Sequence, residues 1–365
     1  MKKVLLIAGA RPNFMKIAPV YRRSLKYDHV QCKIVHTGQH YDYDMSQTFF
    51  EDLELPKPHF FLNAGSGTHA VQTGKIMTAF EELCQEERPD LVIVVGDVNS
   101  TLACSVVAKK LLIKVAHVEA GLRSFDLTMP EEINRMVTDS ISDYFFVTEE
   151  SGVKNLIQEG KKDDNIYLVG NVMIDNLFHQ IQKLENDDGK IFPTYNLKHE
   201  KKDYVFLTLH RPSNVDSKSR FEEIASALNH IAEKKPILFP VHPRTRKMMD
   251  KFEIRLSENI NLLSPLGFRE SLFLWKDASL VMTDSGGLQE ETTAIGVPCV
   301  TLRENTERPV TINMGTNVLG GTSKDSIMKA YYESVKRRRK DFSVPSKWDG
   351  KASERIWTVL LDTFD

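Results

Sequence analysis

Continuous runs of Val, Ile and Leu, each closed by a turn and followed by an amphipathic helical stretch, recur along nearly the whole chain: VLLIAG, CKIVHTG, DLVIVVGD, VAHVEAG, YFFVTE and IYLVG. A strand that is apolar at successive positions must be covered on both faces, and strands separated by helices join in parallel through right-handed crossovers. The alternation therefore predicts a doubly wound α/β domain. From about Lys183 to Lys202 it lapses into a polar, charged stretch broken by Gly189 and Pro193, which reads as a linker. Beyond it YVFLTLH, PILFPVH, NINLLSPL, SLVMTDSGG and PCVTLRE restart the pattern and predict a second Rossmann-like domain. At 365 residues the chain is long enough for two such cores. The expected division is 1–185, 186–350, and a terminal helix at 351–365 whose Ile356, Val359, Leu360 and Phe364 suit a return to the first domain.

Composition excludes several classes. A formal net charge of -2 gives no electrostatic footprint for nucleic acid, so an anionic ligand has to be held by local cations. Cys32, Cys84, Cys104 and Cys299 are scattered, with neither a CxxC pair nor nearby histidine spacing, which argues against a disulfide framework or a structural metal and suits a reducing cytoplasm. The apolar run in MKKVLLIAGARP is too short for a signal peptide and ends at Arg11, so it reads as a first strand. No apolar stretch approaches the ~20 residues that cross a bilayer.

In open α/β sheets ligands bind beyond the carboxyl ends of strands, and two such domains facing each other define one cleft, so residues at those ends are the candidates. After the first strand, Gly9-Ala10-Arg11-Pro12-Asn13-Phe14-Met15-Lys16 is a tight loop entering a helix. Unpaired helix N–H groups there, with Arg11 and Lys16, suit a diphosphate, although both cations also read as ordinary surface charge. The loop is not GxGxxG, which speaks against a dinucleotide and leaves a redox cofactor without a site. Asp97 ends LVIVVGD just before a helix and reads as an N-cap or a functional acid. Glu119, in HVEAGLR, is a carboxylate in an otherwise apolar strand, a costly placement unless the acid is paired or functional, and is the strongest candidate for catalysis from the residues alone. Pro130-Glu131-Glu132 opens a helix as the dipole prefers, and Arg135, four residues beyond Glu131, is placed to pair with it.

In the second half His210 and His242 each follow a strand, where a histidine serves either as a proton-transfer group or as a structural donor. Thr283-Asp284-Ser285-Gly286-Gly287-Leu288-Gln289-Glu290-Glu291 is the most informative loop. Strand, then Ser285-Gly286-Gly287, then helix lets backbone amides approach phosphate oxygens, while Glu291 one turn in suits a ribose diol. Arg303 and Arg308 return cations to the same end of the sheet. The basic run Lys336 to Lys340 closes a helix and reads as solvated.

GARPNFMK, GDVNSTLA, HVEAGLRS, MPEEINR, LHRPSNVD, TDSGGLQEE and NTERP, in that order, make the chain resemble the non-hydrolysing UDP-N-acetylglucosamine 2-epimerase family over nearly its whole length. The resemblance implies a fold similar to the two-domain glycosyltransferases, a homodimer, a UDP-sugar substrate, and action without nicotinamide or metal. Carried over by motif, it implies that Asp97, Glu119, Glu131 and His210 are catalytic. It also implies that Arg11 and Lys16 bind ligand and that Ser285, Gly286, Gly287, Glu291 and Arg308 bind the UDP part; Arg135 and His242, at the same end of the sheets, are further substrate-binding candidates from their placement alone. GARP, TGQHYD and MPEEINR also resemble the branch acting on UDP-2,3-diacetamido-glucuronic acid. The segment from Gln39 to Met45 lacks the residues associated with a second, activating UDP-N-acetylglucosamine, so activation of that kind is not expected. A UDP-sugar glycosyltransferase is the main alternative of another reaction class.

Overall fold

The computed structural model describes residues 1–38, 50–51, 53–187, 189–337 and 341–364. The segment on which the expectation about a second activating ligand rests, 39–45, lies outside these residues, as does the end of the basic run, 338–340. Among the described residues no helix is long and apolar enough to cross a membrane.

Contacts divide the chain into two compact units, Met1–Asn176 with Ser346–Asp365, and Leu177–Pro345. The first holds a parallel sheet of β1 (Lys2–Ala8), β2 (Val30–His36), β3 (Phe60–Phe61), β4 (Leu91–Val95), β5 (Lys114–Val118), β6 (Tyr144–Val147) and β7 (Ile166–Leu168), in the order β3-β2-β1-β4-β5-β6-β7. The second holds β8 (Val205–Thr208), β9 (Ile237–Pro240), β10 (Ile260–Leu263), β11 (Leu280–Thr283), β12 (Cys299–Thr301) and β13 (Asn317–Leu319), in the order β10-β9-β8-β11-β12-β13. Every pairing is parallel, and β4 and β5 run in register from Leu91↔Lys114 to Val95↔Val118. Strand order reverses beside β1 and β4 in one sheet and beside β8 and β11 in the other. Diverging crossovers leave a crevice at such a point, so the segments that follow these strands are where a ligand is received.

The apolar strands are buried as their composition requires: β4 is buried at all five positions, and Leu5, Ile7, Val92 and Val94 share one cluster with Ile76, Phe80 and Ala103 from the covering helices. The second sheet buries Leu207, Phe239, Met282 and Val300 against Phe221, Ile224 and Leu228 of the helix Lys218–Ala232. The two short edge strands, β3 and β13, carry too few residues to show a pattern in sequence.

The stretch read as a linker is not one. The helix Val172–Asp187 runs into it, a second helix spans Tyr195–Lys201, and Lys198 Nζ donates to Phe273 O at 2.5 Å while lying 3.9 Å from the Phe273 ring centre. Gly189, at φ +68°, makes the close approach possible, since a Cβ there would lie 2.2 Å from the Phe273 ring. The stretch's polar residues are partly spent on this contact, where Lys198 also pairs with Asp277. The division accordingly falls after Asn176 and Pro345 rather than near 185 and 350.

The terminal helix Ala352–Phe364 belongs to the first unit. Asp175 caps it from outside, accepting the amides of Ala352 at 2.9 Å and Ser353 at 2.7 Å, and Trp357, fully buried, donates from Nε1 to Val20 O at 2.8 Å. Trp357→Ala removes that bond and opens a large cavity, which costs roughly 3–5 kcal/mol. A urea titration of the variant is expected to show an unfolding midpoint clearly below the parent's, and an unchanged midpoint would show that this helix does not hold the unit together.

Candidate functional site

The carboxylates of the first unit sit just beyond the central strands. β5 stops at Val118, so Glu119 does not lie within a strand as its sequence context suggested; it occupies the turn after it at φ +69°. A side chain in this left-handed region costs about 1–2 kcal/mol, so surrounding bonds must hold it there. Glu119 N and Ala120 N both donate to Phe146 O, at 3.0 and 3.2 Å. Gly121, at φ +78°, lies so close to Gly152 that a Cβ would come 2.3 Å from its carbonyl oxygen. The Glu119 side chain, 3% exposed, forms an ion pair with Lys16. A buried carboxylate of this kind needs a partner, and Lys16 supplies the charge. Gly96, at φ +67°, makes room for the pair: a Cβ there would stand 2.9 Å from Lys16 Nζ and 3.2 Å from Glu119 Oε2.

In the loop after β1, Asn13 Oδ1 accepts the amides of Gly9 and Ala10 at 3.3 and 3.0 Å, just ahead of the first helix. Its lysine points at Glu119, and Arg11 remains at the exposed head of the helix Arg11–Ser24.

Asp97 is not an N-cap. The helix Asn99–Lys110 is capped at Val98 with no side-chain bond, and Asp97 pairs with Arg135 Nη2 at 2.6 Å instead. Arg135 Nη1 binds Glu132 Oε2 at 2.7 Å. Arg135 therefore bridges Asp97 and Glu132, and the expected partner, Glu131, is exposed at the start of the helix Pro130–Ile141. Glu132 is fixed further by the amides of Ser124 and Phe125; burial alone would raise its carboxyl, but these bonds and Arg135 hold it below its ordinary value.

This helix is turned against the usual rule. It buries Glu132, Asn134, Arg135, Thr138 and Asp139, and leaves Ile133 48% and Met136 41% exposed. Asp139, which sequence reasoning missed, binds His117 and Arg123. The available signal was polar residues at helical spacing within one segment, which reads by default as a solvated face.

In the second unit, Asp284 gathers the donors. With no exposed surface it accepts the amides of His210 at 2.9 Å and Arg211 at 2.8 Å, and it faces His210 Nδ1 at 3.0 Å. Burial alone would raise Asp284, but His210 and the two amides hold it below its ordinary value. His242 is exposed and caps the helix Pro243–Phe252 by accepting the Arg244 amide at 3.1 Å, with its ring centre 5.7 Å from that of His210. Ser285 is the N-cap of Gly286–Ile295, where no side chain takes the cap bond and the first-turn amides lie outside helical pairing. A Cβ at Gly286 would meet nothing within 4 Å, so protein packing does not demand the glycine. Arg308 Nε pairs with Glu290 at 2.7 Å, and Arg303 pairs with Glu307 at 3.0 Å. Arg211 is crowded into this group: burial first, then the neighbouring Arg303, lowers its guanidinium. Glu290 and Glu307 balance these arginines, with Arg211 Nη1 3.8 Å from Glu307.

Glu291 lies beside these groups at 5% exposure, and burial, with the adjacent Glu290, pushes its carboxyl up to about 8. An unfolded glutamate titrates near ~4.3, so between about pH 5 and pH 8 the folded chain holds a proton that the unfolded chain has released, and stability falls as pH rises across that window. Glu291→Gln removes the group. The parent is expected to lose stability relative to this variant by up to about 1.4 kcal/mol per pH unit, read from urea midpoints of both proteins at pH 5, 6, 7 and 8. Parallel pH profiles would show that Glu291 is ionised throughout.

Residues 23–361 match the family model described as UDP-N-acetylglucosamine 2-epimerase. The chain is 43% identical over 365 residues to the UDP-N-acetylglucosamine 2-epimerase of Methanocaldococcus jannaschii, with 98% of each chain covered. It is 38% identical over 361 residues to the UDP-2,3-diacetamido-2,3-dideoxy-D-glucuronate 2-epimerase of Pseudomonas aeruginosa, covering 98% of this chain and 99% of that one. The crystal structure of the M. jannaschii UDP-GlcNAc 2-epimerase, in complex with UDP-GlcNAc and UDP, superposes with a TM-score of 0.85 at 42% identity, covering 99% of this chain and 100% of that one.

Proposed function

The chain belongs to the UDP-N-acetylglucosamine 2-epimerase family, and on that premise we propose that it interconverts UDP-N-acetylglucosamine and UDP-N-acetylmannosamine by inverting C2 of the sugar. The observation that carries the mechanism is the pair of acids placed beyond adjacent strands, Glu119 after β5 and Asp97 after β4, each held by a cation in advance of any ligand.

The C2 proton of a hexosamine has no adjacent carbonyl and is too weakly acidic for simple removal and return. Elimination of UDP across C1–C2 gives a 2-acetamidoglucal, and readdition of UDP with the proton delivered to the other face inverts the centre. The first unit supplies the acid/base groups from Asp97, Glu119 and Glu131, the last exposed at the head of its helix. Arg135 and Lys16 pair with the first two, and Arg11 adds a cation for the diphosphate. In the second unit the amides of Gly286 and Gly287, with Ser285 and Arg308, take the diphosphate, stabilising the leaving group as the C1–O bond breaks. Glu291 receives the ribose hydroxyls. His210, with Nδ1 committed to Asp284, presents Nε2 for proton transfer or for the leaving oxygen, with His242 beside it.

The second reading keeps the reaction and changes the sugar: the P. aeruginosa relative points to a UDP-2,3-diacetamido-glucuronate, which differs at C3 and C6. Incubation with each nucleotide sugar in turn, followed by NMR, separates the two. In D2O the product is expected to carry deuterium at C2, with UDP and glycal accumulating slowly. Glu119→Gln is expected to lower turnover by roughly 10²-fold or more while UDP affinity is spared. Retention of the original C2 proton, or transfer of the sugar only when an acceptor is added, would overturn this reading.

We also infer a cytoplasmic homodimer. The reduced cysteines suit that compartment, and Phe125, Leu127, Ile133 and Met136, exposed at 80%, 65%, 48% and 41%, form the surface a second copy would cover. Light scattering is expected to give twice the chain mass of 41.6 kDa, and a monomer at micromolar concentration would count against it.

A further inference from the structure

His117 lies inside β5 with no exposed surface, and its two ring nitrogens point in opposite directions. Nδ1 is 2.6 Å from Asp139 Oδ1, and Nε2 is 2.9 Å from the backbone carbonyl oxygen of Gly96. A carbonyl oxygen only accepts, so Nε2 donates to Gly96 and Nδ1 is left to share a hydrogen with Asp139. Burial alone would raise the Asp139 carboxyl, but His117 and Arg123 hold it below its ordinary value, and Arg123 Nη1 stands 2.8 Å from Oδ2. Arg123 is fixed in turn by Glu159, through Nε at 2.8 Å and Nη2 at 2.7 Å.

What this network touches sets it apart from an ordinary satisfied core histidine. Gly96 precedes Asp97 and makes room for the Lys16–Glu119 pair. His117 stands two residues before Glu119. Asp139 Oδ2 also accepts the amide of Gly121 at 3.0 Å, closing the far side of the left-handed turn that carries Glu119. Asp139 shares its helix with Glu131, Glu132 and Arg135, and Arg135 holds Asp97. One buried pair thus joins every segment of the first unit that bears an acid of the proposed mechanism. A contact serving the fold alone had no need to end on the backbone on both sides of the reacting groups.

We propose that His117 and Asp139 are positioning residues that act as one unit, cross-linking the Gly96 carbonyl to the Gly121 amide and so fixing the spacing between Asp97 and Glu119 on which proton transfer at C2 depends. The inference rests on the 2-epimerase reading. Its signature follows from the two-step reaction: a loosened spacing misaligns the delivery of the second proton, so the glycal and UDP escape more often per turnover, while the UDP-binding groups of the second unit are untouched.

The test compares His117→Gln, Asp139→Asn and the double variant with the parent, measuring kcat, KM, UDP affinity by calorimetry, and released UDP and glycal. Each folded single variant is expected to lose at least tenfold in kcat with KM and UDP affinity within about threefold, to release more intermediate per turnover, and to cost no less than the double variant, because the two residues form one coupled unit. A single variant leaves one buried polar group unmatched; if it fails to fold, the double variant, which replaces both members by an amide pair, carries the test. A folded double variant with kcat within about threefold of the parent would overturn the proposal, as would equal losses of kcat and UDP affinity. Nitrogen NMR of the parent needs no variant: Nε2 of His117 is expected to carry a hydrogen shared with a carbonyl acceptor, and hydrogen on Nδ1 alone would refute the cross-link. A parent that epimerises neither nucleotide sugar would sink the functional reading instead, and the two failures are distinct.

Discussion

An ionised group withdrawn from water must find an opposite charge or a set of hydrogen bonds, and most of the arrangement beyond the first sheet follows from meeting that demand for a few acids. Glu119 is nearly inaccessible, so Lys16 must reach it from the first helix; Lys16 can reach it only if residue 96 has no side chain. Asp139, with no exposed surface, needs both His117 and Arg123. Arg135 in turn is 4% exposed and takes Asp97 and Glu132 together. Each requirement recruits the next, until the ends of β1, β4 and β5 and the helix Pro130–Ile141 are tied into one polar assembly. Removing one member strands its partner in low dielectric, which is why such assemblies hold their geometry more firmly than an apolar core of equal size.

The same demand explains which parts were legible in sequence. Apolar strands announce themselves because burial on both faces fixes every position, and β4 and β11 are found where their Val, Ile and Leu runs place them. Glu119 was legible for the converse reason, a charge where the pattern allows none. The helix Pro130–Ile141 was not, because its polar residues are the buried ones, and the periodicity that identifies a helix does not say which face turns inward. Arg135 was expected to pair with Glu131 on helical spacing alone. The structure pairs it with Glu132 and Asp97, since burying a guanidinium requires acceptors on more than one edge. Asp97 misled for a related reason: an acid just before a helix is usually a cap, and only a partner 38 residues away reveals otherwise.

The two units meet the demand in different ways, and the difference bears on chemistry. In the first, the acids are paired before any substrate arrives, so little reorganisation accompanies proton transfer. In the second, Arg308 pairs with Glu290 and Arg303 with Glu307, burial lowers the Arg211 guanidinium and pushes the Glu291 carboxyl up to about 8, and no side chain caps the helix Gly286–Ile295.

That division suits a reaction in which very little of the substrate changes. Inversion at C2 alters one carbon, while the nucleotide and diphosphate pass through unchanged in structure, so nearly all the available binding energy lies in parts that do not react. Contacts to the uridine and ribose hold ground state and transition state alike and confer retention, which matters because a free glycal is a lost turnover. Contacts to the diphosphate differ, since negative charge grows on it as the C1–O bond breaks. A reaction through a free glycal therefore sets one requirement with two sides: the intermediate must be easy to form and hard to lose.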